Sequence, residues 1–158
     1  MRRSPIRVYA DTSVFGGILD EEFDTASRRF FDQVRAGDLR LVTSVIVQDE
    51  IAEGPAAVQA RYEEMLGIAE VTEIPPAAFE LQQAYVHHAV VSERWAADAL
   101  HVAIATVAGC SMIVSWNFRH IVNFRRIPLY NGVNALKGYG SIAIHSPLEV
   151  LEDEEQEL

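Results

Sequence analysis

One cysteine in 158 residues excludes an intrachain disulfide and any metal site built from several thiolates. That residue, Cys110, lies in Ala108-Gly109-Cys110-Ser111-Met112-Ile113-Val114, where a small buried hydrophobe is the expected role. Long apolar runs are also missing: no stretch approaches the about 18 residues of a membrane span. Arg2 and Arg3 are followed by no apolar segment of signal-peptide length, so a cytoplasmic protein with no membrane partner is expected. Positive charge is scarce. Thirteen Lys and Arg against 23 Asp and Glu give a formal net charge of −10, which argues against a protein that coats nucleic acid. Five of those acids stand in Glu152-Asp153-Glu154-Glu155-Gln156-Glu157, so the body of the chain is only moderately acidic. Residues 151–158 are expected to be a disordered tail.

What the chain does have is apolar material, 49% of its residues, enough for one core spread over residues 1–150. Ile6-Arg7-Val8-Tyr9-Ala10 reads as a strand buried on both faces. A helix comes next over residues 25–36, with Phe30, Phe31 and Val34 as its stripe and Gly37 as its stop. Leu39-Arg40-Leu41-Val42-Thr43 is a second strand, and Ser44 caps a helix that carries Val45, Ile46, Val47 and Ile51 and breaks at Gly54-Pro55. A helix over residues 55–66, a strand over 70–74 and a helix opened by Pro75-Pro76 continue the alternation. Residues 94–108 form the most apolar helix, closed by Gly109, and Met112-Ile113-Val114-Ser115 is a fourth strand. An irregular stretch rich in asparagine, glycine and proline leads to a short fifth strand over residues 141–144. Strands alternating with helices predict a three-layer α/β/α fold on a mostly parallel sheet of four or five strands.

Three acids are attached to core-forming segments. Asp11 stands after the first strand, Glu50 shares a helix face with Ile46 and Val47, and Asp98 interrupts Ala96-Ala97-Asp98-Ala99-Leu100. A carboxylate costs several kcal/mol to desolvate unless paired or bound to a cation, and a divalent metal is one shared reason for all three. Each also has a plainer account. Asp11-Thr12-Ser13 is an ordinary helix cap, Glu50 suits a solvated helix face, and Asp98 complements a helix dipole. In parallel sheets ligands bind beyond the carboxyl ends of the strands, where strand order reverses, and Asp11 and Asn117 share such a crevice if strands one and four are neighbours.

The order Asp11-Thr12-Ser13, Glu50, Ala97-Asp98-Ala99-Leu100-His101-Val102-Ala103 and Ser115-Trp116-Asn117 resembles the PIN-domain family, which includes the VapC-like toxins of toxin–antitoxin pairs. The likeness extends over residues 6–149. It implies an endoribonuclease in which Asp11, Glu50 and Asp98 bind Mg2+ or Mn2+, Asn117 completes the catalytic set, and RNA is cut by a metal-activated water. Thr12 and Ser13 either support Asp11 or the metal-bound water, or serve as helix caps. Many relatives carry an acid at the position of Asn117, or an aspartate at the position of His120. This chain has neither, so Asn117 either offers a neutral carbonyl oxygen or orders the loop.

His120, in Asn117-Phe118-Arg119-His120, is placed to touch substrate, whereas His101 is read as a core residue that could also bond a carboxylate. His87-His88 reads as surface packing. Arg119, Arg125 and Arg126 interleaved with Trp116, Phe118 and Phe124 form a candidate RNA-binding stretch, or else aromatics at the core edge beside solvated arginines. The resemblance further implies a homodimer and an antitoxin partner, received by an apolar groove near Phe30 and Met65. The alternative function is a degenerate PIN-like protein that binds RNA or a partner without cutting.

Overall fold

The computed structural model describes residues 5–150, so the acidic tail lies outside the described residues. Five parallel strands, β1 (Ile6–Ala10), β2 (Leu39–Ser44), β3 (Glu70–Thr72), β4 (Met112–Val114) and β5 (Ala143–His145), form one sheet in the order β3-β2-β1-β4-β5. The chain therefore builds outward from β1 on one side, then returns across the sheet to place β4 on the other. That reversal falls between β1 and β4, paired in the register Val8↔Met112, Tyr9↔Ile113 and Ala10↔Val114.

The connections are α1 (Thr12–Gly16), α2 (Asp24–Arg35), α3 (Val45–Ala52), α4 (Ala56–Leu66), α5 (Pro76–His87), α6 (Ala96–Val107) and α7 (Ile127–Leu136). Helices α1, α3 and α4 touch one another, as do α5 with α6 and α7. Right-handed crossovers put the first group on one face of the sheet and the second on the other. Each boundary has a local cause. Ser44 leaves β2 in extended geometry and its hydroxyl accepts the Val47 amide, starting α3. Pro76 opens α5 at a position where its missing N–H costs nothing. Gly109, at φ +75°, takes the left-handed turn that stops α6 just before β4.

An expectation is corrected here. The stretch after β4 is not irregular throughout, because Ile127, Tyr130 and Val133 recur at helical spacing and α7 forms around them. Asn134, a loop signal by residue type, is buried in α7, where its Oδ1 accepts the Tyr85 hydroxyl and its Nδ2 donates to Thr106 Oγ1. Phe30 and Met65 are themselves buried in the core, so of a groove near them only other residues of their helices can form the lining. Cys110 is buried as expected, and desolvation pushes its thiol up to about 11.

Candidate active site

The site is built where β1 and β4 end side by side. The Asp11 amide donates to the Val114 carbonyl at 3.2 Å, so the ladder continues one step and sets Asp11 beside Ser115. Asp11 caps α1. Its Oδ1 accepts the Ser13 amide at 3.1 Å and the Ser13 hydroxyl at 2.5 Å, while Oδ2 accepts the Ser115 hydroxyl at 2.6 Å. Ser13 Oγ in turn accepts the Trp116 amide, and Ser115 Oγ accepts the Asn117 amide. The two strand ends are thereby tied together around one carboxylate that is only 4% exposed. Burial raises the pKa of Asp11, against the opposing pull of His101 and the two serine hydroxyls.

Glu50 reaches this edge from α3 and His101 from α6. His101 Nε2 donates to Glu50 Oε1 at 2.9 Å. Burial works against the ionised Glu50, yet the hydrogen bond and charge of His101, aided by Thr12, hold its pKa below the ordinary value. His101 itself is buried, which disfavours its charge. The hydrogen bond to Glu50 and the charges of Asp11, Glu50 and Asp98 nonetheless raise its pKa overall. His101 thus bonds Glu50 directly and stands three residues after Asp98 on the same helix. Its other nitrogen, Nδ1, bonds the Tyr9 hydroxyl at 2.8 Å.

Asp98, in the first turn of α6, has its Oδ2 2.8 Å from His120 Nδ1. The His120 residue is 5% exposed and its ring stacks on Trp95 with centroids 4.4 Å apart and planes 26° from parallel. Asn117 turns its Oδ1 to the amides of Arg119 at 3.2 Å and His120 at 2.9 Å, closing the loop that carries both. The Arg119 guanidinium lies over Trp95, 5.9 Å from the ring centroid. The basic and aromatic stretch divides in two. Trp116 is buried, stacked on Phe23, with its Nε1 donating to Ser27 Oγ, whereas Phe118 and Phe124 are exposed, Phe124 by 79%. His87 and His88 pack on each other.

A cleft of about 410 Å³ opens beside Glu50, lined by Thr12, Leu19, Ile51, Pro55 and Val58. Largely apolar, it lies between α1, α3 and the start of α4 and reaches Glu50 but neither Asp11 nor Asp98. Thr12 Oγ1 is buried here without a hydrogen bond of full geometry.

The donors suit a hard divalent cation in chemistry: three carboxylates from three segments of the chain at one sheet edge, with the Thr12 side chain beside Glu50. Among the described residues no three His, Cys, Asp or Glu side chains are closed to ligand geometry, and His101 and His120 each hold one oxygen of an acid instead. The sequence alone assigns no role at the site to Tyr9 or Trp95, and gives Ser44 only the cap of α3. The signal available for Tyr9 and Ser44 is register: β1 and β2 pair in parallel as Tyr9↔Val42, which puts Tyr9 two residues short of Ser44 along the same edge.

The family profile for the PIN domain matches residues 8–126, well over half of the chain. The chain belongs to the PIN-domain family. No curated protein sequence matches this PIN domain. Among solved structures it is similar to VapBC2 from Rickettsia felis bound to a DNA fragment from their promoter, at 13% identity and TM-score 0.58, covering 89% of this chain and 98% of that one. FitAB bound to an IR36 DNA fragment is similar at 14% identity and TM-score 0.56, covering 89% and 94%. FitAcB from Neisseria gonorrhoeae is similar at 13% identity and TM-score 0.53, covering 89% and 98%. At these identities the likeness is one of fold. Among the described residues no helix is long and apolar enough to cross a membrane.

Proposed function

We propose that this PIN domain is a Mg2+- or Mn2+-dependent endoribonuclease, the cytoplasmic toxin of a toxin–antitoxin pair. The observation that supports the reading is that Asp11 ends β1 at the reversal point of the sheet, while His101, on the helix of Asp98, bonds Glu50. Clustered carboxylates repel one another, and a dication relieves that repulsion better than an imidazolium does. Asp11, Glu50 and Asp98 would hold the ion. When bound, it supplies a Lewis acid to the phosphodiester and lowers the pKa of a water.

The remaining residues position groups. Ser13 and Ser115 fix the Asp11 carboxylate, and Thr12 Oγ1 offers a further oxygen beside Glu50. Asn117 holds the loop in which Arg119 supplies charge for the RNA backbone, with Phe118 exposed to stack an unpaired base. His120 anchors Asp98 and keeps this loop against α6. The cleft along Leu19, Ile51 and Val58 suits an apolar antitoxin segment, and the toxin itself forms a homodimer.

A specific observation also favours the non-cutting alternative. His101 and His120 occupy carboxylate oxygens, and Asn117 Oδ1 faces its own loop. Incubating the protein with a mixed RNA pool and Mn2+ separates the two readings. Fragments that vanish in Asp11→Asn and Asp98→Asn support the nuclease. RNA left intact by wild type and variants alike, across divalent metals, leaves only the binding role.

A further inference from the structure

Three buried side chains outside the acid set form a continuous hydrogen-bonded line that ends on Glu50. Ser44 Oγ is 2.9 Å from Tyr9 Oη, Tyr9 Oη is 2.8 Å from His101 Nδ1, and His101 Nε2 is 2.9 Å from Glu50 Oε1. We propose that Tyr9 and His101 are positioning residues that lock the Glu50 carboxylate in its metal-binding orientation, with the lock anchored at Ser44. The inference rests on the reading of the acids as a metal centre and assigns it supports that the PIN fold alone does not specify.

The line is continuous in both forms of His101: protonated, Nδ1 donates to Tyr9, which donates to Ser44; neutral, the protons run the other way along it. In the neutral form Ser44 Oγ accepts the Val47 amide and donates to Tyr9 Oη. Tyr9 donates to His101 Nδ1, which leaves Nε2 to donate to Glu50. Each hydroxyl and each ring nitrogen is then satisfied, as buried polar groups require. The line also joins the elements that carry the acids: Tyr9 precedes Asp11 on β1, Ser44 caps the helix that carries Glu50, and His101 comes one turn after Asp98 on α6.

A purely structural network has no reason to end where this one does. Ser44, Tyr9 and His101 are buried, yet their last bond goes to a glutamate whose side chain is 43% exposed. A glutamate at that exposure has several rotamers available and loses freedom when it becomes a ligand. Held by His101, it has lost that freedom already, which is how histidine and carboxylate neighbours raise metal affinity in general.

The test is Mn2+ binding by the full chain, monitored by the electron paramagnetic resonance of the free ion, in wild type, Tyr9→Phe, Glu50→Ala and the double variant. Tyr9→Phe keeps the ring that packs the core and removes only the middle of the line. It should weaken Mn2+ binding about 10-fold in the wild-type background. In the Glu50→Ala background it should change binding by less than about 2-fold, because no positioned carboxylate remains. A general distortion of the core instead weakens binding equally in both backgrounds, and that result, or no effect in either, overturns the proposal. If wild type binds no Mn2+, the metal-centre reading fails. That outcome overturns the lock as well, and differs from equal weakening in both backgrounds, which overturns the lock alone.

Discussion

Replacing Asp11 by asparagine should stabilise the metal-free protein and abolish its stabilisation by metal. The carboxylate is almost fully buried, and its upward pKa shift says that desolvation outweighs the hydrogen bonds from Ser13 and Ser115 and the charge of His101. Each hydrogen bond to a charged group contributes about 1.5–3 kcal/mol, whereas burying a carboxylate costs several kcal/mol even after relaxation. Asparagine removes the ionic cost and keeps one carbonyl oxygen for the Ser13 amide and hydroxyl. Ser115 Oγ must then accept from the new amide in place of donating. The expected net gain is about 1 kcal/mol at neutral pH in EDTA, or about 3 °C in Tm for a chain of this size. The pH dependence has a definite sign. A carboxyl whose folded pKa is raised contributes stability below its unfolded value and loses it as pH rises through the folded value. The advantage of the variant should therefore be absent near pH 3, grow through the carboxylate range above about 4, and level off above the folded value. With Mn2+ at about 100 times its Kd, wild type gains about 2.7 kcal/mol and overtakes a variant that gains little, so the two melting curves exchange order. Scanning calorimetry in EDTA and in Mn2+ measures both halves. A variant less stable than wild type in EDTA at pH 7 would refute the claim that this carboxylate strains the fold.

Gly17→Ala should cost about 1–3 kcal/mol in urea unfolding, because an added Cβ would lie 2.5 Å from Ser27 Oγ and 2.7 Å from Trp116 Nε1. Tryptophan emission should shift with it as the Trp116–Ser27 bond is displaced. Ser115→Ala strips a donor from buried Asp11 and an acceptor from the Asn117 amide, so a loss of about 2 kcal/mol is expected by chemical denaturation. No change there would mean that the strand ends are not held through this hydroxyl. Cys110, buried with its thiol pushed up to about 11, should resist a disulfide reagent at pH 8 in the folded protein and react fully in denaturant. Rapid labelling of native protein would contradict that burial.

Much of the scaffold is legible in the sequence because its signals are local. Capping at Ser44, the proline at the start of α5 and the glycine after α6 each act within a few residues, and the apolar strands show their burial directly. Helix α7 is hidden because its polar residues are satisfied by distant partners: Asn134 by Tyr85 and Thr106, Asn131 by the backbone of Ile142. Helix α1 escapes notice for a related reason. Asp11-Thr12-Ser13 reads as a cap in any context, and a helix of five residues has too little periodicity to announce itself. Asp11, Glu50 and Asp98 can be picked out by their apolar settings, but the histidine partners of Glu50 and Asp98 are 51 and 22 residues away in sequence, and such pairings leave no trace in spacing. The environment of Asn117 is likewise undecidable from type alone, since an amide oxygen suits an ion and a loop equally well.

The sheet order has a consequence for biosynthesis. Central β1 leaves the ribosome well before its second neighbour, β4, which emerges 104 positions later, and only then does Ser115 reach Asp11. Asp98, too, belongs to the later half of the chain. A nascent chain with β1, β2 and β3 already paired has two of the three acids and neither histidine that faces them. The centre is thus completed only after β4 and the loop that carries His120 have been made. For a protein proposed to cut RNA, late closure of the sheet keeps each copy inert beside the message and ribosome that are producing it.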